Sequence, residues 1–291
     1  MNDPRRQDFR LIHRLRVRWA EVDQQRIVFN PHYLMYVDNA FADYWRALAI
    51  PYQSIPDLLG GDVFVKKSSV EYHGSARLDD MLEIGLQCAR IGNSSMIFRS
   101  GIFRGDTLLV SAELVYVFAD PTTQTSKPVP AALRELMLSY EAGAVPVDIR
   151  VGTWDETGPL ASALRREVFN DELGIALDLA QDAADLTALH ALVRNRFGQL
   201  LATGRLTAEG PGVARIGRVA VHRAMRGTGF GRAVIEALLQ AAGQRGETQV
   251  VLSAPCSAQN FYARLGFETI GDVFVEAGVP HIRLSCTLSS R

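Results

Sequence analysis

Two rhythms of apolar residues run along the chain and separate its halves. After Asn30-Pro31, the residues Tyr33, Val37, Phe41, Tyr44, Trp45 and Leu48 recur every three or four positions, which predicts a long helix with one apolar stripe. Asparagine caps exposed backbone N–H groups and proline suits the first helical position, so the helix is expected to start here. An opening strand is predicted over residues 15–19, and further strands over 63–72, 81–89, 96–103 and 108–118. Leu82, Ile84 and Leu86 alternate with polar neighbours, as do Leu114, Tyr116 and Phe118, so each strand has one buried and one solvated face. Glycine-containing turns at 91–94 and 104–106 favour antiparallel hairpins. A long helix against an antiparallel sheet is an α+β layer.

The rhythm changes after a stretch rich in turn formers, residues 120–130, and a short amphipathic stretch carrying Leu133, Leu136 and Met137. Glu141-Ala-Gly-Ala-Val-Pro146 reads as a linker, which divides the chain into domains over 1–143 and 146–291. The second half alternates helix and strand. A helix is expected around 160–169, strands around 200–206 and 215–221, a helix over 229–242, a strand over 249–253, a helix over 258–265 and strands near 267–275 and 281–288. That order predicts a mixed α/β domain.

With 291 residues the chain is long enough for two ordinary cores, and its formal net charge of −1 offers no global attraction to nucleic acid or to an anionic membrane. Cys88, Cys256 and Cys286 are scattered without paired spacing, which argues against a disulfide framework or a zinc site and suits a reducing cytoplasm. The polar start, residues 1–10, has no signal-peptide core, and no apolar run reaches membrane-spanning length. A cytoplasmic chain with no metal, nucleic-acid or membrane partner is therefore expected.

Chemistry concentrates in two motifs. Arg226-Gly-Thr-Gly-Phe-Gly231 follows a predicted strand and opens a predicted helix. Glycines let the backbone turn tightly and approach an anion, the helix start presents free N–H groups to a pyrophosphate, and Arg226 can add a charge-assisted bond. On those residues alone, a ligand-free tight turn is as good a reading. Ile216-Gly-Arg-Val-Ala-Val221, then His222 to Gly231, then Ala258-Gln-Asn-Phe-Tyr-Ala-Arg-Leu-Gly-Phe267 together resemble the GNAT acetyltransferases. The likeness extends from Arg166-Glu-Val-Phe169 through His190 to the motif over 275–282, in the manner of the ElaA-like subgroup. It implies acetyl-CoA or acyl-CoA as substrate, held by the backbone of Val219, Ala220 and Val221 and by Arg226, Gly227, Thr228, Gly229 and Gly231, with Asn260 also touching it. It further implies transfer to an amine, with Tyr262 protonating the departing thiolate as general acid. Glu172, His190 and His281 are polar at family-typical places, as possible bases or as structural residues.

In the first half, Trp19-Ala-Glu-Val-Asp-Gln-Gln-Arg-Ile-Val-Phe-Asn-Pro-His-Tyr33 resembles the opening motif of the 4-hydroxybenzoyl-CoA and YbgC-like thioesterases. The stretches over 70–84, 91–98 and 127–130 fit the same family. The resemblance implies a hotdog fold over about residues 10 to 140 and places Asp23 on the catalytic aspartate, as nucleophile or as base for water. The N–H donors for the thioester oxygen are sought in residues 60–65 or at the start of the long helix. Three positions depart from the family pattern: Glu21 replaces its first aspartate, Arg26 its glycine, and Asn30 its histidine or tyrosine. Hotdog sites form between subunits, so a homodimer or homotetramer is expected. Two readings follow, a bifunctional thioesterase and N-acyltransferase, or an acyltransferase with a catalytically silent hotdog module for dimerisation or acyl-CoA binding.

Overall fold

In the computed structural model, which describes residues 3–175, 181–276 and 278–288, the chain divides into two units, Met1–Pro146 and Val147–Arg291, each with its own sheet.

The first unit is organised by the aromatic stripe. Helix α1, Pro31–Ala47, buries Tyr33, Tyr36, Val37, Ala40, Phe41, Tyr44 and Trp45. It packs on an antiparallel sheet whose strands, β1 (Leu11–Arg16), β2 (Asp62–Tyr72), β3 (Met81–Ile91), β4 (Ser95–Arg104) and β5 (Thr107–Ala119), lie in the order β1-β3-β4-β5-β2. Phe41 stacks on Tyr116 at 4.0 Å, and Phe98 meets Phe41 and Tyr44 edge-on at 5.2 and 5.1 Å. Each such side chain contributes about 1.5–3 kcal/mol by leaving water, which is why one face of one helix suffices to fix the layer. Short α2 (Ile55–Leu59) leads into β2, and α3 (Ala131–Glu141) adds Leu133, Leu136, Met137 and Tyr140 to the core. This is the hotdog layer, a long helix against an antiparallel sheet.

Two expectations are corrected here. The opening strand is Leu11–Arg16 rather than 15–19; Val17 turns inward at 1% exposure, and Trp19 begins a single 3-10 turn with its ring 80% exposed. Asn30 does not cap α1 with its side chain, because its own backbone is already helical (φ −50°, ψ −36°) and the first turn is closed by the His32 N–H donating to Phe29 at 2.9 Å. On the outer face of the sheet, Phe9 lies over Gly85 and Gly101, which are partners in the β3–β4 register. A Cβ at Gly85 would stand 2.3 Å from the Phe9 ring, so this hollow requires glycine.

In the second unit, seven strands follow the order β11-β12-β10-β9-β8-β7-β6. They are β6 (Val147–Gly152), β7 (Leu189–Asn195), β8 (Leu200–Gly210), β9 (Val213–Val221), β10 (Gln249–Pro255), β11 (Glu268–Glu276) and β12 (Val279–Thr287). All neighbours are antiparallel except β9 and β10. Alternate residues of β7 separate two cores: Ala191 and Val193 join Val234, Ile235 and Leu238 of α5 (Phe230–Gln244), whereas Leu192 joins Ala161 and Leu164 of α4 (Trp154–Arg165). Helices therefore cover both faces of a mixed sheet, as the α/β expectation required. Helix α4 runs directly into a π-helical stretch, Arg166–Glu172, and the short α6, Gln259–Ala263, follows β10. Ala277, inside the motif over 275–282, lies outside the described residues.

Candidate functional site

The parallel pair β9 and β10 makes a notch. Their register holds only for Val213, Ala214 and Arg215 against Gln249, Val250 and Val251, after which neither strand pairs with the other. From Ile216 to Val221, β9 keeps its ladder with β8 on one edge, and among the described residues its other edge has no strand partner. The side chains of this segment are already committed. Ala220, 1% exposed, belongs to the α4 core, while Val219 and Val221 pack into the α5 core. What β9 offers a ligand at Val219, Ala220 and Val221 is therefore backbone.

The loop beyond β9 ends at α5, and its glycines are not alike. Gly227 and Gly229 adopt φ 83° and 93°, the left-handed region that side chains resist. Gly231 is in ordinary helical backbone, and a Cβ there would make only ordinary contact, at 3.5 Å, with Phe261 and Val221. The first N–H groups of this fifteen-residue helix, and the positive end of its dipole, lie at the end of this loop. Thr228 turns its hydroxyl back, donating to Met225 O at 2.6 Å, so it contributes backbone rather than a side-chain bond.

Arg226 is engaged by a partner that the sequence did not reveal. Its two terminal nitrogens donate to Glu172 Oε1 and Oε2 at 2.6 and 2.7 Å, and its Nε donates to Val221 O at 3.3 Å. The bidentate bonds from Arg226 hold the Glu172 carboxyl below its ordinary pKa. Glu172 is thus an anion paired with the loop's cation, not a free base.

Tyr262 lies on α6, 8% exposed, between Phe261 and Phe267 at 4.9 and 5.8 Å. Burial alone pushes its phenol up to about 12, so it stays protonated at neutral pH, the state a general acid needs. Asn260, two residues before it, is exposed. His190 is fully buried: Arg165 donates to its Nδ1 at 3.0 Å and its Nε2 donates to Asp185 O at 3.0 Å. With both ring nitrogens occupied it holds the core and has no lone pair for an amine. At His281, Nδ1 donates to Val279 O at 2.9 Å, since a carbonyl only accepts.

In the first unit, Asp23 opens a tight turn. Its Oδ1 accepts from Gln25 N at 2.8 Å and Ile27 N at 3.4 Å, and the turn closes with Arg26 N donating to Asp23 O at 2.9 Å. The carboxylate is half-buried, and among the described residues Oδ2 has no bonded partner. Arg26 adopts φ 61°, which explains why a glycine suits this position. Glu21 is the buried acid, 3% exposed, accepting from Arg18 N at 2.8 Å and Tyr36 Oη at 2.7 Å. Burial would raise its pKa, but the bonds from Arg18 and Tyr36 outweigh it and the carboxyl sits below its ordinary value. Glu21 therefore anchors the turn to α1, whereas Asp23 is the carboxylate with an oxygen left over.

Among the described residues, no group of three or more His, Cys, Asp or Glu side chains is placed to hold a metal ion, and no helix is long and apolar enough to cross a membrane. Known proteins match the two halves separately. The acetyltransferase (GNAT) domain family matches residues 176–288, and the thioesterase superfamily matches residues 25–117. A UPF0039 protein of Schizosaccharomyces pombe is 35% identical over 109 residues, 37% of this chain and 73% of its own length. Another, from Synechocystis, is 34% identical over 125 residues, covering 42% of this chain and 80% of that protein. The acyl-CoA thioester hydrolase YbgC of Escherichia coli is 29% identical over 120 residues, 41% of this chain and 89% of the hydrolase.

Proposed function

This chain belongs to the GNAT acetyltransferases in its second half and to the thioesterase superfamily in its first, and on that footing we propose that it is a bifunctional acyl-CoA enzyme. The observation that carries the proposal is the notch between β9 and β10, a strand edge that no strand pairs among the described residues, leading into a glycine loop and a helix start. An acyl-CoA laid along that edge would bond Val219 to Val221 through main chain and present its pyrophosphate to residues 226–231. An amine attacks the thioester carbonyl, the C–S bond breaks, and Tyr262 gives its proton to the departing thiolate. His281, whose Nδ1 is engaged with Val279 O, is the proposed base for the amine through Nε2.

In the first unit, Asp23 is the proposed hydrolytic residue, attacking the thioester or drawing a proton from water through Oδ2. Its site is proposed to be completed by a second copy. The long edge strand β2, with Phe64, Val65 and Tyr72 exposed at 36, 52 and 51%, supports a homodimer or a higher homo-oligomer through this unit. A monomer by light scattering at micromolar concentration would remove that part of the reading.

A second reading is favoured by Arg26 and the Asp23 turn: one carboxylate oxygen already closes the turn, and a side chain occupies the left-handed position. On that reading the first unit binds acyl-CoA or dimerises without hydrolysing. Thiol release from a panel of acyl-CoAs, with and without amines, separates the two. Hydrolysis in the first unit predicts amine-independent release that Asp23→Asn abolishes and Tyr262→Phe spares. Release indifferent to Asp23→Asn leaves the transferase alone. Since one activity would destroy the other's donor, the two units should also prefer different acyl groups, acetyl for the second and a longer or aryl acyl for the first.

A further inference from the structure

A β-bulge interrupts β9 where the notch opens. Opposite it, β8 advances two residues, from Thr203 to Arg205, while β9 advances three, from Gly217 to Ala220. That longer step includes Arg218, whose φ of 52° lies in the left-handed region. A side chain holds that conformation only where its surroundings impose it, and bulges of this kind re-aim a strand beside functional sites.

The surroundings are a chain of ion pairs. Arg218 donates to Asp182 Oδ2 at 2.8 Å. The same carboxylate accepts both terminal nitrogens of Arg205, at 2.6 and 3.0 Å, and Arg205 is the residue registered against Gly217 at the start of the bulge. Arg205 also reaches Asp185 Oδ1 at 2.9 Å, and Asp185 takes Arg165 of α4 at 2.8 Å. Arg165 and Asp185 are 0% and 2% exposed, so the far end of the chain is fixed in the core. Asp182 is the link that joins the bulge to this anchor, with an arginine from each strand on one carboxylate.

We propose that Asp182 is a positioning residue that holds Arg218 in its left-handed conformation and so sets the backbone of Val219 to Val221 against the acyl thioester; this rests on the reading of the second unit as an acetyl-CoA site. Without the carboxylate, Arg205 and Arg218 become like charges side by side, and Arg218 can relax to negative φ. The extra residue then shifts, and the free edge of β9 turns away from the notch. The loop over 226–231 keeps its own bonds to Met225 and Glu172, and its link to β9 is the bond from Arg226 Nε to Val221 O at 3.3 Å.

The test is calorimetric binding of acetyl-CoA and of CoA to the full chain, as wild type, Asp182→Asn, Arg218→Gly and the double variant. CoA has the pyrophosphate but no acyl carbonyl. Asp182→Asn should weaken acetyl-CoA by about tenfold, the worth of one well-aimed hydrogen bond, and CoA, which shares the rest of the molecule but lacks the acyl carbonyl, by clearly less. The double variant should regain wild-type acetyl-CoA binding, because glycine takes this φ without strain and one of the two repelling charges is gone. An unchanged acetyl-CoA to CoA preference in Asp182→Asn, or a double variant no better than the single, overturns the proposal. If wild type binds neither compound, the acetyl-CoA reading itself fails, and hydrogen exchange of the 216–222 segment judges the clamp alone. Exchange must then quicken in Asp182→Asn and slow again on adding Arg218→Gly; no change overturns the clamp.

Discussion

Replacing Asp185 by asparagine keeps the shape of the buried cluster and removes one charge from it. Arg165 is fully buried and donates to Asp185 Oδ1 at 2.8 Å; its other bond is to the neutral His190 ring at 3.0 Å. Burial already lowers the Arg165 pKa, which marks the cation as costly to keep there. Breaking a buried ion pair from one side costs about 3–5 kcal/mol. The lower end applies, since asparagine still offers one acceptor and Arg205 retains Asp182, so about 3 kcal/mol is expected. Hydrogen exchange followed by mass spectrometry on the full chain reads this locally, without assuming that the two units unfold together. Amides of β7 and β8 that exchange through opening of the second unit should do so about 150-fold faster, the equivalent of 3 kcal/mol at 1.4 kcal/mol per tenfold. Asp148→Asn, at an exposed pair with Arg194, serves as control and should leave the rates unchanged. Acceleration by less than about fivefold in Asp185→Asn, under 1 kcal/mol, would refute the argument that this cluster is held by its carboxylates.

Four further outcomes are expected. Gly204→Ala places a Cβ 2.6 Å from Val234 and 3.1 Å from Leu238, so α5 must shift, at about 1–3 kcal/mol; a melting temperature equal to wild type contradicts this packing. Glu172→Gln releases Arg226, and since the pair is partly exposed the effect is at most about 1 kcal/mol, a Kd for acetyl-CoA up to about fivefold tighter; weaker binding would mean that Glu172 orients Arg226 toward the phosphates instead. Arg26→Gly relieves a left-handed side chain and should raise stability by up to about 1 kcal/mol, or leave it level, in a denaturant titration; a loss of that size would reveal a contact that Arg26 makes in an assembly. Glu83 is held at about 2 by the hydrogen bond from Arg6, with Arg14 beside it. Because this is below the ordinary carboxylate value, its contribution is complete above about pH 4.5 and is lost as pH falls toward 2. An acid protease should therefore cut near Phe9 more readily at pH 2.5 than at pH 5, and Glu83→Gln should be cut readily at both; equal resistance of that variant at pH 5 removes the link.

The stripe of α1 and the alternation of β3 and β5 were legible in the sequence, whereas strands β6 and β7 were not. The α1 stripe and the alternation in β3 and β5 each report one buried side. Strand β7 escaped because His190, Ala191, Leu192 and Val193 are all buried, so alternation is erased and a histidine interrupts the apolar run. Strand β6 escaped as a short edge with Asp148 and Arg150 exposed. At the candidate site, glycine spacing announced the loop, since backbone geometry is local. Its ionic partners were invisible: Glu172 lies 54 residues before Arg226, and Asp182 lies 36 before Arg218. Only the folded sheet brings those charges together. The capping role read for Asn30 failed for the opposite reason, because the helical turn already begins at Phe29.

The division of labour in β9 has a consequence for how this segment should be probed. Val219 and Val221 face one core and Ala220 the other, so each side chain answers to packing. A saturation scan would score all three as stability positions, tolerant of neat apolar swaps, and would register no ligand at all. Main-chain editing is the informative perturbation: an ester in place of one amide deletes a donor while every side chain stays. The strand's sequence can drift with its two cores while its edge, which carries no residue identity, keeps the main-chain groups proposed to hold the acyl-CoA.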